Sequence, residues 1–183
     1  MRGNPKINNK TNITLSVENE IINNIKQEAE IGNTSVSAKV NRILNDYVLF
    51  GKYFAEKRPV MFTPPIFRYF LDKVDEKIWL DAWTISLSEI TPQVFAMHNV
   101  DFTLDNVINY MFGDIGMRIG TFDRFTCDSN SMDSRKLVME HKYGIKWSKI
   151  LSSAFSNMLE KKFNCRVYSK IFPNALVLDI SER

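Results

Sequence analysis

Four residues, His98, Cys127, His141 and Cys165, are of the types that bind zinc or nickel. No two of them stand at metal-ligand spacing such as C-x-x-C or H-x-x-x-H, so no metal site is expected. Cys165, at the start of a strand, reads as a small core residue. The stretch Glu140 to Ser148, "EHKYGIKWS", sets a charged cluster between strand and helix. It is read either as a pocket lining or as a helix N-terminus with a packed Trp147. Nothing resembles a P-loop, a nucleotide fingerprint, a nucleophile elbow or a His–carboxylate pair at telling spacing. No catalytic residue and no cofactor is therefore expected, and the chain is read as a non-enzyme. The side chains left to do chemistry are those that recognise by hydrogen bonding, foremost Asn12, Thr14 and Ser16.

These three alternate with Ile13, Leu15 and Val17, which predicts a strand with one polar and one apolar face. The period then changes. Ile21, Ile22, Ile25 and Ala29 fall on one helical stripe, with Glu18 near the start, where a carboxylate suits the helix dipole. "IGNTS" interrupts that helix, and Gly32 or Asn33 can take the left-handed conformation that ends it. Ser35 is a good N-cap for a second helix carrying Val40, Ile43, Leu44, Tyr47 and Val48, running on past Gly51 towards Phe54.

A lone strand of about seven residues cannot satisfy its own backbone, and two short helices cannot bury this much isoleucine. A second copy of the chain supplies both needs. Two strands pair antiparallel across a two-fold axis, the four helices close beneath them, and one shared core forms from Ile13, Leu15, Val17, Ile21, Ile25, Val40 and Leu44. The outer face of that ribbon carries Asn12, Thr14 and Ser16 from each chain, and a two-stranded ribbon fits the DNA major groove.

In this ordered pattern, from Asn12 to about Val48, the sequence resembles the ribbon-helix-helix family of DNA-binding proteins, which includes Arc and MetJ. The inward strand positions, the first-helix stripe and "SVSAKVNRIL" all match, while Asn33 stands where the family usually has glycine. The resemblance implies that Asn12, Thr14 and Ser16 read base edges, Asn pairing bidentately with adenine. It implies that Ser35, Val36 and Ser37 hold a phosphate through backbone N–H groups and the Ser35 hydroxyl. Lys10, Lys39 and Arg42 are candidate backbone contacts. Many relatives place Arg or Lys on the ribbon; here all three reading positions are neutral.

At 183 residues, 44% hydrophobic, with a formal net charge of +3, the chain has enough apolar material for a core and permits nucleic-acid binding without demanding it. Residues 1–11 read as a flexible basic arm, 12–55 as the ribbon-helix-helix module, 56–63 as a linker and 64–183 as an α+β domain. In that last region helices are expected over Pro64 to Val74, Asp75 to about Met97 and Thr103 to Phe112. Strands are expected over Met117 to Thr126 and Arg135 to His141, separated by the turn-rich "CDSNSMDS". A strong amphipathic helix, Ile145 to Phe163, precedes a closing hairpin, Arg166 to Phe172 and Ala175 to Ile180. The fold class is thus α+β: a helical segment and an antiparallel sheet behind a dimeric strand-helix-helix module. Trp79, Trp83, Phe67, Phe70, Phe102 and Phe112 line either an apolar cavity or, more simply, a core.

A polar N-terminus, two cysteines and no apolar run of about 20 residues lead to an expected cytoplasmic, membrane-free protein. The expected function is a homodimeric, sequence-specific transcriptional regulator of double-stranded DNA, with an unidentified small-molecule effector or further oligomerisation, up to a tetramer, assigned to the C-terminal domain. Two alternatives stand beside it. One is the antitoxin of a toxin–antitoxin pair; the other is a small-molecule enzyme domain with a dimerising N-terminal module.

Overall fold

A computed structural model of the chain describes residues 11–51, 55, 60–131 and 134–182. The chain divides into two compact units, Met1–Arg58 and Pro59–Arg183. Among the described residues no helix is long and apolar enough to cross a membrane.

The first unit holds α1 (Asn19–Ile31) and α2 (Val36–Asp46), the latter continued by a π-helical turn, Tyr47–Gly51. The sequence places the break between the helices well. Asn33 takes the left-handed conformation at φ 48° while Gly32 stays at φ −81°, an assignment open to Asn because its short polar side chain tolerates positive φ. Glu18 precedes α1 but makes no side-chain cap. Residues 11–18 belong to no helix or strand, so the strand expected there is not seen; among the described residues none pairs with this segment, and an isolated extended segment has no ladder to hold it. Of the two helices, only Ala29 is buried.

The second unit is an α+β fold with one four-stranded antiparallel sheet, order β1-β2-β4-β3. Its strands are β1 (Arg124–Ser131), β2 (Ser134–Glu140), β3 (Cys165–Phe172) and β4 (Ala175–Glu182). Helices come first: α3 (Pro64–Lys73), α4 (Glu76–Ile85), a π-helical link to α5 (Thr91–Met97), then α6 (Leu104–Asn106), which runs into a π-helix, Val107–Gly116. The long α7 (Ile145–Phe163) connects the two hairpins and packs on β3 and β4.

Alternation builds the core. Leu176, Leu178 and Ile180 point to the covered face, as do Leu137 and Met139 of β2 and Cys165 of β3. Against them lie Trp147, Ile150, Leu151, Ala154, Phe155, Met158 and Leu159, the apolar stripe expected for α7. Val177 and Asp179 face the other way and are half-buried, as in an antiparallel sheet with one solvated side. Gly144, at φ 85°, delivers the chain into α7, and Asn164, at φ 50°, ends it. Near the start of the β3 edge one amide is occupied by the preceding helix, since Val167 N–H donates to Glu160 Oε1 at 3.1 Å.

Two expectations are corrected. Met117 and Arg118 continue the preceding helix, and the strand expected from Met117 starts only at Arg124, after a turn in which Gly120 sits at φ 76°. The turn-rich "CDSNSMDS" is mostly strand: Cys127 to Ser129 pair with Leu137 to Arg135. β1 is an edge strand with one exposed face, where pairing to β2 overrides the turn preference of Asp and Ser.

Candidate functional site

The sequence-predicted site lies in the first unit. Asn12, Thr14 and Ser16 are exposed, and so are the intervening Ile13 and Leu15, at 66% and 63%. Val17, Ile21 and Leu44 are exposed as well, whereas Ile25 and Val40 are half-buried. An apolar series spread in this way over a strand-like segment and two helices has no partner within the described unit.

Ser35 caps α2 as its type and position require. Ala38 N–H donates to Ser35 Oγ at 3.1 Å, and Lys39 N–H donates to Ser35 O at 2.9 Å. Accepting from Ala38 leaves the Ser35 O–H proton for donation outward. Val36 and Ser37 follow in the first helical turn, where amides have no intrahelical acceptor. Three groups are thereby gathered at one helix N-terminus, the arrangement that suits an anion. Lys39 is engaged elsewhere, in an ion pair with Glu28 at 2.6 Å that ties α2 to α1. Its role as a backbone contact competes with that pair. Arg42 is exposed on α2, and Lys10 lies outside the described residues.

In the second unit the four metal-type residues do not converge: among the described residues no group of three or more His, Cys, Asp or Glu can hold an ion. Cys165 is fully buried, its thiol donating to Leu159 O at 3.2 Å, and burial pushes the Cys127 thiol up despite the opposing charge of Arg135.

One polar cluster escaped the sequence reading. His141 Nδ1 accepts from Tyr143 N–H at 3.2 Å, which leaves the proton on Nε2, 2.8 Å from Ser148 Oγ. The Ser148 hydroxyl in turn donates to Phe172 O at 2.6 Å. The imidazole thus gives a proton to the serine rather than taking one, the opposite polarity to a general base activating a nucleophile. Burial lowers the His141 pKa, against a smaller opposing influence of Asp123, and keeps the ring neutral. With His141 N–H donating to Asn174 O at 3.0 Å, the cluster fastens the β2–α7 loop to the β3–β4 turn. It is an architectural lock, invisible in sequence because His141 and Phe172 meet only through the fold.

The aromatics expected as cavity or core form a packed chain. Phe67 meets Trp79, Tyr143 and Trp147 edge-on at centroid distances of 5.5, 4.9 and 5.0 Å, and Trp83 bridges Trp147 to Phe155. Trp147 Nε1 donates to Thr121 O at 2.8 Å. Tyr110 is buried within the long π-helix, and its phenol is pushed up to about 12 by burial and, secondarily, by Asp114. It is neutral at any physiological pH.

No family model and no curated protein matches the chain. Among solved structures, an IWP-051-bound H-NOX from Shewanella woodyi in the Fe(II)CO ligation state shares 11% identity over 99% of this chain and 80% of that one, with a TM-score of 0.23. A likeness at that score carries no argument about fold or function.

Proposed function

We propose that the protein is a homodimeric, sequence-specific DNA-binding regulator. Residues 12–17 of two chains pair as an antiparallel ribbon, and Asn12, Thr14 and Ser16 enter the major groove. The observation that supports this most is the exposed alternation of Ile13, Leu15 and Val17 ahead of two helices that bury only Ala29. Such a segment lacks both ladder partners and a core, and a two-fold copy supplies the two together.

On this reading the Ser35 cap, with the Val36 and Ser37 amides, grips a phosphate and fixes the register of the ribbon. Base identity then comes from neutral side chains. Affinity should therefore depend on salt less steeply than for a ribbon carrying Arg or Lys. Regulation is by occupancy of the operator, with the second unit contributing sensing or further self-association.

The test begins with selection of a preferred duplex from a random pool by the full-length protein. Wild type, Asn12→Ala and Thr14→Ala are then titrated against the selected and scrambled duplexes at fixed salt. Each alanine is expected to cost roughly 1 to 3 kcal/mol of discrimination while non-specific binding survives. Undiminished preference in both variants would refute the ribbon as the reading surface.

A further inference from the structure

The segment joining β2 to α7 holds α3 as well as the sheet. Arg68 Nη2 donates to Lys142 O at 3.1 Å, and its guanidinium carbon lies 6.0 Å from the centre of the Tyr143 ring. Tyr143 meets Phe67 edge-on, with centroids 4.9 Å apart. Lys146 Nζ, from the first turn of α7, donates to Leu71 O at 2.5 Å and Val74 O at 2.6 Å, where the carbonyls ending α3 lack intrahelical donors. Residues 142–146 thus carry much of what keeps α3 in place.

One imidazole sets that segment, with opposite roles at its two nitrogens. Nε2–H donates to Ser148, whose hydroxyl is committed to Phe172 O, while Nδ1 accepts from Tyr143 N–H. A proton added at Nδ1 changes only the second side: a donor then faces a donor, and Tyr143 N–H loses its acceptor. The His141 ring is 4% exposed, so the imidazolium would also sit away from water. Gly144, next to Tyr143, offers a hinge at φ 85°, and nothing stands within 4 Å of where its Cβ would be. Of the charged groups in the segments packed about the ring, Asp123 favours the imidazolium, but its carboxylate is paired with Lys142 Nζ at 3.1 Å. Arg68 and Lys146 are cations occupied with backbone carbonyls and do not favour it. Glu140 and Lys149, adjacent in sequence to His141 and Ser148, are exposed, and the β3–β4 turn brings only the neutral Phe172, Pro173 and Asn174.

We propose that His141 is an acid-sensitive latch: its protonation frees the Tyr143 segment, and with it α3, while the sheet and α7 stay folded. Burial sets the direction of the response. The closed ring is held below the ordinary 6.5 and the opened ring returns to it, so opening takes up a proton. Opening therefore grows easier as pH falls below about 6.5 and levels off below the lowered native value. The output is release of a helix whose Leu71 is buried and whose Phe67 is half-buried when the latch is shut. The latch lies wholly in the second unit and does not depend on DNA binding by the first.

The experiment follows amide hydrogen exchange of the full-length wild type, His141→Gln and Arg68→Ala between about pH 7.5 and 5.5, above the usual carboxylate range, with rates corrected for intrinsic exchange at each pH. In wild type the amides of Tyr143 and of Phe67 to Lys73 should lose protection together, by up to about tenfold per pH unit below about pH 6.5, while remaining less protected than the β2–β4 ladder. His141→Gln offers an acceptor and a donor but no titration, and should remove that slope. Arg68 is exposed, so Arg68→Ala keeps the fold and the test stands even if His141→Gln unfolds. It should lower the protection of α3 by about threefold or more at neutral pH and leave the pH response of Tyr143 in place. Protection of α3 that does not change with pH in wild type, or that is lost only at the level of the β2–β4 ladder, would overturn the latch. So would a slope that survives in a folded His141→Gln protein. An Arg68→Ala protein with α3 protected as in wild type would overturn the coupling of segment to helix.

Discussion

The two units bury their apolar residues in opposite ways. In Pro59–Arg183, alternating strand residues and a seven-residue helical stripe close on one another, and Leu137, Leu151, Leu159, Leu176 and Leu178 have no exposure at all. In the described part of Met1–Arg58, the same kinds of pattern, period two and then period near four, leave Ile13, Leu15, Val17, Ile21 and Leu44 in solvent. The difference teaches that amphipathic pattern predicts which residues need burial, not which chain buries them. The second unit is a core. The first is read as half of one.

The largest effects should separate the units by their dependence on concentration. Phe155→Ala removes a ring held between Trp83 and Phe112 and is expected to cost about 3 to 5 kcal/mol in thermal or urea melts of the second unit, at any protein concentration. Leu15→Asp should instead abolish the cooperative, concentration-dependent melting of the first unit and leave the second unit's transition in place. Equal effects of both substitutions on a single transition would break the comparison.

Smaller expected effects sharpen it. Trp147→Phe leaves the Thr121 carbonyl without its indole donor and is expected to destabilise the second unit by roughly 1 to 3 kcal/mol in a urea titration. Ser35→Ala removes the cap of α2; it should cost about 1 kcal/mol of stability in the first unit and weaken binding to all duplexes alike.

Last comes the proton at His141. Its folded pKa is depressed below the ordinary 6.5, so the unfolded chain binds a proton that the native one refuses. Its contribution is complete above about pH 6.5 and is lost as pH falls from there towards the lowered native value. Urea melts between pH 7.5 and 5 should show that decline in wild type, and His141→Gln should flatten it.

Local signals were readable and assembled ones were not. The helix Ile145–Phe163 is where its apolar stripe puts it, and the closing hairpin was legible from "PN" between two strand runs, because stripe and turn are properties of neighbouring residues. Ser35 was legible as a cap for the same reason. The strand character of "CDSNSMDS" is not legible in sequence because a polar edge strand owes its conformation to β2, where Cys127 to Ser129 pair with Leu137 to Arg135. The π-helical course of Val107–Gly116 has no signature in a stretch that is apolar nearly all round. The bond from Ser148 to Phe172 depends on how two hairpins meet, which no spacing encodes. Of the candidate site, the residues and the Ser35 cap are legible in sequence, while the proposed ribbon would need a second chain.

Amide hydrogen exchange of the full-length protein reaches that ribbon most directly. In a lone chain residues 12–17 have no ladder and their amides should exchange at the rate of free peptide; in the dimer, those that bond across the two-fold axis become protected. Protection of alternate amides in this segment at high protein concentration, fading on dilution in step with dissociation of the dimer, is the predicted result. Exchange at the free-peptide rate at every concentration, in a protein whose second unit remains protected, would contradict it.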